Sequence, residues 1–203
     1  MEDQEKIWDA IAPEWNVYKE IPSNKSTEFL KSCSGNVLDL GGGSGRHMIQ
    51  IKKGKYYLLD ISNEMIKLAR EKAKNLKIDF EGVHSSMTEI PFSKDFFDFA
   101  ICISSLHCIP GAENRLKAVE ELYRVLKKNG TAYIGVWNFQ SKRFKGKKDK
   151  EKMVSWTDKG KRYYYLFDKD EVHELFKSVG FEIVSEHDSE MMINFIVKKY
   201  SRV

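Results

Sequence analysis

The 203-residue chain is 41% hydrophobic and 12% aromatic with a net charge of +4, which predicts one domain with a substantial core and excludes wholesale disorder. No stretch reaches the ~18 apolar residues of a membrane span, and residues 1–25 hold no leader-like apolar run. Three cysteines without a C-x-x-C pair (Cys33, Cys102, Cys108) argue against a disulfide framework or structural zinc and point to a reducing cytoplasm.

Taken in chain order, EKIWDAIAPEW places Ile7, Trp8, Ile11 and Trp15 on one face and predicts a short helix before Pro22. A second short helix is expected around Thr27–Ser32. Val37–Leu40 reads as a buried strand, followed by glycines and then a helix over Arg46–Lys52. Tyr56–Asp60 is the next strand, and Ser62 caps a helix carrying Met65, Ile66, Leu68 and Ala69. Ile78–Val83 reads as a third strand. The apolar run FDFAICI, Phe97–Ile103, suits a buried parallel strand. Leu116, Val119, Leu122, Tyr123 and Leu126 repeat at three and four, predicting a helix over Arg115–Lys128 that Gly130 ends. Thr131–Trp137 returns to strand.

Asp168 with Glu171 makes a capping-box signature for a helix ending at Gly180. Phe181–Glu186 and Met191–Lys198, joined by HDSE, can only pair antiparallel. The alternation predicts an α/β fold: a doubly wound, mostly parallel sheet covered on both faces, in a single domain over 1–203. Ligands of such sheets bind at the carboxyl ends of the strands. A basic insertion is expected at about 139–162. Within it, Ser141–Arg162 holds ten Lys/Arg against three acids, a local +7 that leaves −3 on the rest of the chain.

The stretch VLDLGGGSGRHM carries the chemistry. A dinucleotide fingerprint needs glycine or alanine at position 46, which is Arg46, and a P-loop needs a lysine that is absent. What fits is D-x-G-x-G-x-G: Asp39, Gly41, Gly43 and Gly45. A carboxylate before the loop repels pyrophosphate and suits an ammonium, as at the methionine end of S-adenosylmethionine. Asp60, ending the second strand, is placed to accept both ribose hydroxyls. The plainer reading of the glycines is a tight strand-to-helix turn.

With these residues in place, the chain resembles the class I S-adenosylmethionine-dependent methyltransferases over nearly all its length. The resemblance implies a Rossmann-like, seven-stranded sheet with an antiparallel last strand. It also implies that Ile61, Ser86, Met87 and Ile103 complete the cofactor site, with Ser86 where the family usually has an acid for adenine. IWDAIAPEW, ISSLHCI, MVSW and RYYYLFDKDEVHELF resemble a narrower group, the tRNA wobble-uridine methyltransferases that esterify 5-carboxymethyluridine. Two departures stand out. The entry loop between Pro13 and Pro22 lacks the family arginine, leaving Tyr18 and Lys19, and the family histidine of the YH-x-F pattern is Tyr165.

That resemblance implies a tRNA anticodon region as partner, and a small zinc-binding activator protein added along the edge of the third strand, in a heterodimer. An acceptor carboxylate has a pKa near ~4 and needs no base, and no Ser-His-Asp, Cys-His or paired-carboxylate arrangement appears. His107 and Arg162 are expected to position the substrate, although a satisfied edge histidine is the plainer reading of His107. Trp137 and Asn138 line the acceptor pocket or belong to the core. Lys145, Lys147, Lys148 and Lys150 are expected to meet phosphates, and Tyr163 to lie near the acceptor nucleoside. Two other readings remain open: a methyltransferase for a small carboxylic acid, and a catalytically silent scaffold subunit.

Overall fold

The computed structural model describes residues 3–187 and 189–200; Asp188 of the HDSE connection lies outside them. The chain begins with helix α1 (Gln4–Tyr18) and helix α2 (Asn24–Ser32). Strands β1 (Ser34–Leu40) and β2 (Lys52–Asp60), helix α3 (Asn63–Leu76), β3 (Phe80–His84) and β4 (Phe97–Ile103) follow. Helix α4 (Ala112–Val125) leads directly into β5 (Leu126–Trp137). A hairpin of β6 (Glu151–Ser155) and β7 (Lys161–Tyr165) precedes α5 (Lys169–Val179), β8 (Phe181–Glu186) and β9 (Met192–Lys199).

The main sheet has the order β3-β2-β1-β4-β5-β9-β8, and only β9 runs against its neighbours, pairing antiparallel with both β5 and β8. This is the class I methyltransferase architecture. Alternation along each strand splits the core in two. Leu38, Leu59, Ala100 and Cys102 meet α4 and α5 through Val119, Leu122, Val172 and Phe176. Val37, Tyr56, Leu58 and Ile101 meet α2 and α3 through Leu30, Ile66 and Ala69. A fully buried side chain of this kind stabilises the fold by about 1.5–3 kcal/mol. Among the described residues no helix is long and apolar enough to cross a membrane.

Local signals set several boundaries. Ser62 accepts from the Met65 amide at 3.1 Å and starts α3. The Asp168–Glu171 capping box starts α5, which Gly180 ends in the left-handed conformation. Two expected helical boundaries differ. No helix forms over Arg46–Lys52: turn covers only Arg46 and His47, residues 48–51 are irregular with Met48 and Ile51 drawn into the core beside α2 and α3, and β2 starts at Lys52. Likewise α4 stops at Val125 because Leu126 turns extended to pair with Phe97 of β4, so Gly130 lies within β5. The entry segment is also mostly helix: Pro13 sits inside α1.

Candidate active site

A pocket opens at the carboxyl ends of β1, β2 and β4, with α1 forming its opposite side through Gln4, Trp8 and Trp15 and, just past its end, Lys19. Asp9 of α1 accepts from Ser62 Oγ at 2.6 Å and from the Glu64 amide at 3.1 Å, tying α1 to the start of α3. Gln4 accepts from the Tyr163 amide at 2.8 Å, and Glu14 accepts from Trp156 Nε1 and Lys159 Nζ, so α1 is also fastened to the hairpin.

The glycine side is built from backbone. Gly41 has φ +70°, and a Cβ there would lie 2.5 Å from Ser105 Cβ. Gly43 has φ +56° and lines the pocket, and the nearest atom to a Cβ there is Met65 Sδ at 3.9 Å, so a side chain would enter free space. Asp60 fixes this loop: its Oδ2 accepts from the Gly43 amide at 2.8 Å and its Oδ1 from the Ser62 amide at 3.0 Å. Burial raises the pKa of Asp60, and the backbone bonds from Ser62, Gly43 and Ile61 oppose that shift.

Asp39 is 1% exposed and accepts from the Tyr56 hydroxyl at 2.7 Å. Tyr56 reaches it because Val37 pairs with Tyr56 and Asp39 with Leu58 in the parallel register, which puts all four on one face. Burial pushes the Asp39 carboxyl up to about 7, against the Tyr56 bond and the charge of Arg46. Arg46 also lines the pocket, donates from Nε to His47 Nε2 at 3.2 Å, and has no carboxylate in ion-pair range among the described residues. A dry carboxylate and a guanidinium held in no ion pair among the described residues are complementary to an α-amino acid, with ammonium on Asp39 and carboxylate on Arg46. The residues therefore fit the methionine end of the expected cofactor. Ile61, Ser86, Met87 and Ile103 line the same pocket, whereas Gly45 does not. Arg46 is a site residue that the glycine pattern did not mark, and its place directly after Gly45 is the signal that could have found it.

On the other side, strand alternation in β7 sends Arg162 and Tyr164 to one face and Tyr163 and Tyr165 to the other. Arg162 is 5% exposed, yet meets no carboxylate among the described residues. It donates from Nη1 to the Tyr164 hydroxyl at 2.7 Å and lies 4.9–5.7 Å from the ring centres of Trp8, Trp15, Trp156 and Tyr164. Tyr164 stacks on Trp137 at 4.4 Å, and the Arg143 guanidinium lies 5.0 Å from the centre of the Trp137 ring. Lys19 lies 4.9 Å from the centre of the Tyr18 ring. Its pKa is lowered by burial and then by Arg46, Arg143 and Arg162.

Two expectations need correction here. Tyr163 faces away from Arg162, donating to Glu151 at 2.9 Å, so Tyr164 holds the place assigned to it. Lys150 is bound between Asp168 and Glu171 at 2.6 and 2.8 Å, which holds its ammonium well charged and fastens the hairpin to α5. Lys145, Lys147 and Lys148 are exposed and form no ion pair among the described residues. Asn138 uses its side-chain oxygen on the Gln140 amide. Nothing in the sequence period marked Trp156 or Arg143 as neighbours of this aromatic cluster, because their proximity comes from the folding of the insertion.

No acid–base apparatus accompanies these groups among the described residues. His107 is fully buried, accepts from the Trp137 amide through Nδ1 at 3.1 Å, and burial lowers its pKa to about 3. His47 is lowered to about 3 by burial and by Arg46 and Lys72, and both its ring nitrogens are engaged. Burial pushes the thiols of Cys33 and Cys102 to about 12 and that of Cys108 higher.

Residues 38–134 match the family described as "Methyltransferase domain". The chain is 29% identical to the tRNA (carboxymethyluridine(34)-5-O)-methyltransferase of Schizosaccharomyces pombe, over 90% of this chain and 89% of that protein. It is 30% identical to the protein of that name from Arabidopsis thaliana over 78% of its own length, but spans only 37% of the plant protein. The ubiquinone/menaquinone biosynthesis C-methyltransferase UbiE of Vibrio cholerae matches at 27% over 64% of this chain and 55% of that one. Among solved structures, the complex between the Haloferax volcanii Trm112 methyltransferase activator and a methyltransferase matches with TM-score 0.75 and 17% identity, covering 99% of each chain.

Proposed function

We propose that the chain is an S-adenosylmethionine-dependent methyltransferase and that its acceptor is the carboxylate of a 5-carboxymethyl group on the wobble uridine of a tRNA. The observation that carries this reading is the group of three cations, Lys19, Arg143 and Arg162, gathered beside Arg46 with no acid in ion-pair range of them among the described residues. Such a site favours an anionic acceptor and disfavours a neutral one. The bound cofactor supplies an electrophilic methyl group. Asp39 and Arg46 hold its amino-acid end and Asp60 its ribose, while Arg162 and Lys19 orient the acceptor.

A carboxylate at neutral pH is already a nucleophile, so holding the partners in line supplies the acceleration, and such proximity is worth about 7–11 kcal/mol. C-methylation of a quinone ring requires a base to remove a ring proton, and His47 and His107, buried with pKa values near 3, are poor bases. Lys145, Lys147 and Lys148 extend the positive field outward, which suits the phosphates of an RNA better than a small acid. Similarity to the S. pombe enzyme supports the same choice. The exposed edge of the sheet at β3 is the place for a small activator subunit, in the cytoplasm.

The test is nucleoside mass spectrometry of tRNA bearing 5-carboxymethyluridine after incubation with labelled cofactor, with and without an activator subunit. The expected product is the methyl ester at the wobble position. Label confined to small acids, or to any base carbon, would overturn the reading.

A further inference from the structure

Arg162 and Tyr164 are adjacent, buried, and together hold more hydrogen-bond donors than the protein uses. Nη1 of Arg162 donates to the Tyr164 hydroxyl at 2.7 Å. That oxygen is therefore the acceptor in their bond, and its own proton points elsewhere. No described residue accepts it. Nε of Arg162 is sealed from solvent without any partner, and Nη2 has none among the described residues either. Native proteins pair buried polar groups, so a guanidinium and a phenol left with unused donors at one point require an explanation.

The surroundings supply one. The rings of Trp8, Trp15 and Trp156 strip water from Arg162. Burial holds the Tyr164 phenol protonated, a donor at every working pH. Trp8, Trp15 and Cys108 line the pocket, and the Cys108 thiol lies within the field of Arg162, so these donors stand immediately behind the pocket wall. Stacking on Trp137 leaves the Tyr164 ring one orientation.

We propose that Arg162 and Tyr164 form a two-donor clamp that recognises the ionised carboxylate of the acceptor and releases its methyl ester. This rests on the carboxylate reading of the acceptor and adds the selection of acid over product. An ester oxygen carries no full charge, so it accepts weakly from donors that a carboxylate satisfies. A site built to hydrogen-bond a polar group discriminates sharply against its altered analogue. The clamp thus serves binding and turnover together.

The experiment measures binding, by calorimetry with S-adenosylhomocysteine present, of 5-carboxymethyluridine and of its methyl ester. The parent should prefer the acid by at least about tenfold. Tyr164→Phe keeps the ring on Trp137, and Arg162→Lys keeps the charge but loses the planar fork. Each should lower the acid-to-ester ratio by at least about threefold, leaving the part that the remaining cations supply, while S-adenosylhomocysteine affinity stays at the parent value. An acid preference undiminished in Tyr164→Phe overturns the clamp and leaves the acceptor reading standing. If the uridine probes do not bind but phenylacetate is preferred over methyl phenylacetate in a Tyr164-dependent way, the clamp stands and the tRNA reading falls. No acid preference in the parent with any probe overturns both.

Discussion

The two sides of the pocket are made by different means. The glycine side comes from one stretch of chain, Asp39 to Arg46, with Asp60 one strand away, and its geometry is set by backbone hydrogen bonds. The opposite side is made by α1 and the turn after β4 and is backed by the end of β5 and the hairpin, and its geometry is set by rings packed around cations. A backbone-built site is rigid and suits a cofactor that is the same in every turnover. A side-chain-built site tolerates exchange, and it is the part that distinguishes one acceptor from another. Substitutions should therefore act separately on the two sides.

The sharpest break in that comparison is Asp60→Ala, which removes the anchor of the Gly43 amide and, on the proposed reading, the ribose contacts. Two bonds to a charged acceptor, each worth about 1.5–3 kcal/mol, predict a fall in cofactor affinity on the order of 100-fold or more. Circular dichroism should show the fold retained. Near-parental affinity for S-adenosylmethionine in calorimetry would remove Asp60 from the cofactor site.

Asp39 gives the next largest effect and a pH signature. Its folded pKa of about 7 means that an incoming ammonium must first find the carboxyl ionised. Cofactor affinity should then rise about tenfold between pH 6 and pH 8. Asp39→Asn should bind weakly with no such slope. In the free protein the sign is reversed. The folded state binds the extra proton between the unfolded carboxyl pKa and about 7, so this group lowers stability as pH rises through that window. A flat affinity profile in the parent would show that Asp39 does not meet a cation.

Within the basic segment the comparison is between lysines. Changing Lys145, Lys147 and Lys148 together to glutamine should flatten the plot of log affinity for tRNA against log salt, with cofactor affinity unchanged. Its slope should fall by about 0.7–0.9 for each phosphate that these lysines neutralise. Lys150→Gln should leave that slope alone and lower the melting temperature, because it releases Asp168 and Glu171 at the start of α5. Equal slopes in the triple variant and the parent would mark the segment as ordinary solvated surface.

The smallest effect concerns the interior shared by both sides. His47 and His107 have folded pKa values near 3, so the unfolded state takes up protons first as pH falls below the ordinary histidine value of 6.5. Their contribution to stability is complete above that value and declines as pH drops from there toward 3. His107→Phe should flatten part of this decline in acid titrations followed by fluorescence. It should also cost about 1–3 kcal/mol at neutral pH, because the Trp137 amide loses its acceptor. An unchanged acid profile would mean that His107 is not held neutral.

What the sequence determined alone is local or periodic. The strands β4 and β8, the caps at Ser62 and Asp168, and the parallel architecture follow from apolar runs, hydrogen-bonding side chains and turn residues close together in the chain. The same holds for Asp39, Gly41, Gly43 and Asp60, whose roles depend on one strand end and the next. Only the tertiary structure decided which residues of the hairpin turn toward the tryptophans of α1, because strand register puts Arg162 with Tyr164 and turns Tyr163 away. It also cancelled the helix over Arg46–Lys52, where Met48 and Ile51 are drawn into the core beside α2 and α3, and ended α4 at Val125, where Leu126 pairs with Phe97 of β4. The separation of Lys150 from its neighbours follows the same rule. Charge along a chain is legible as a sum, but whether each cation is free depends on carboxylates that only folding brings within 3 Å.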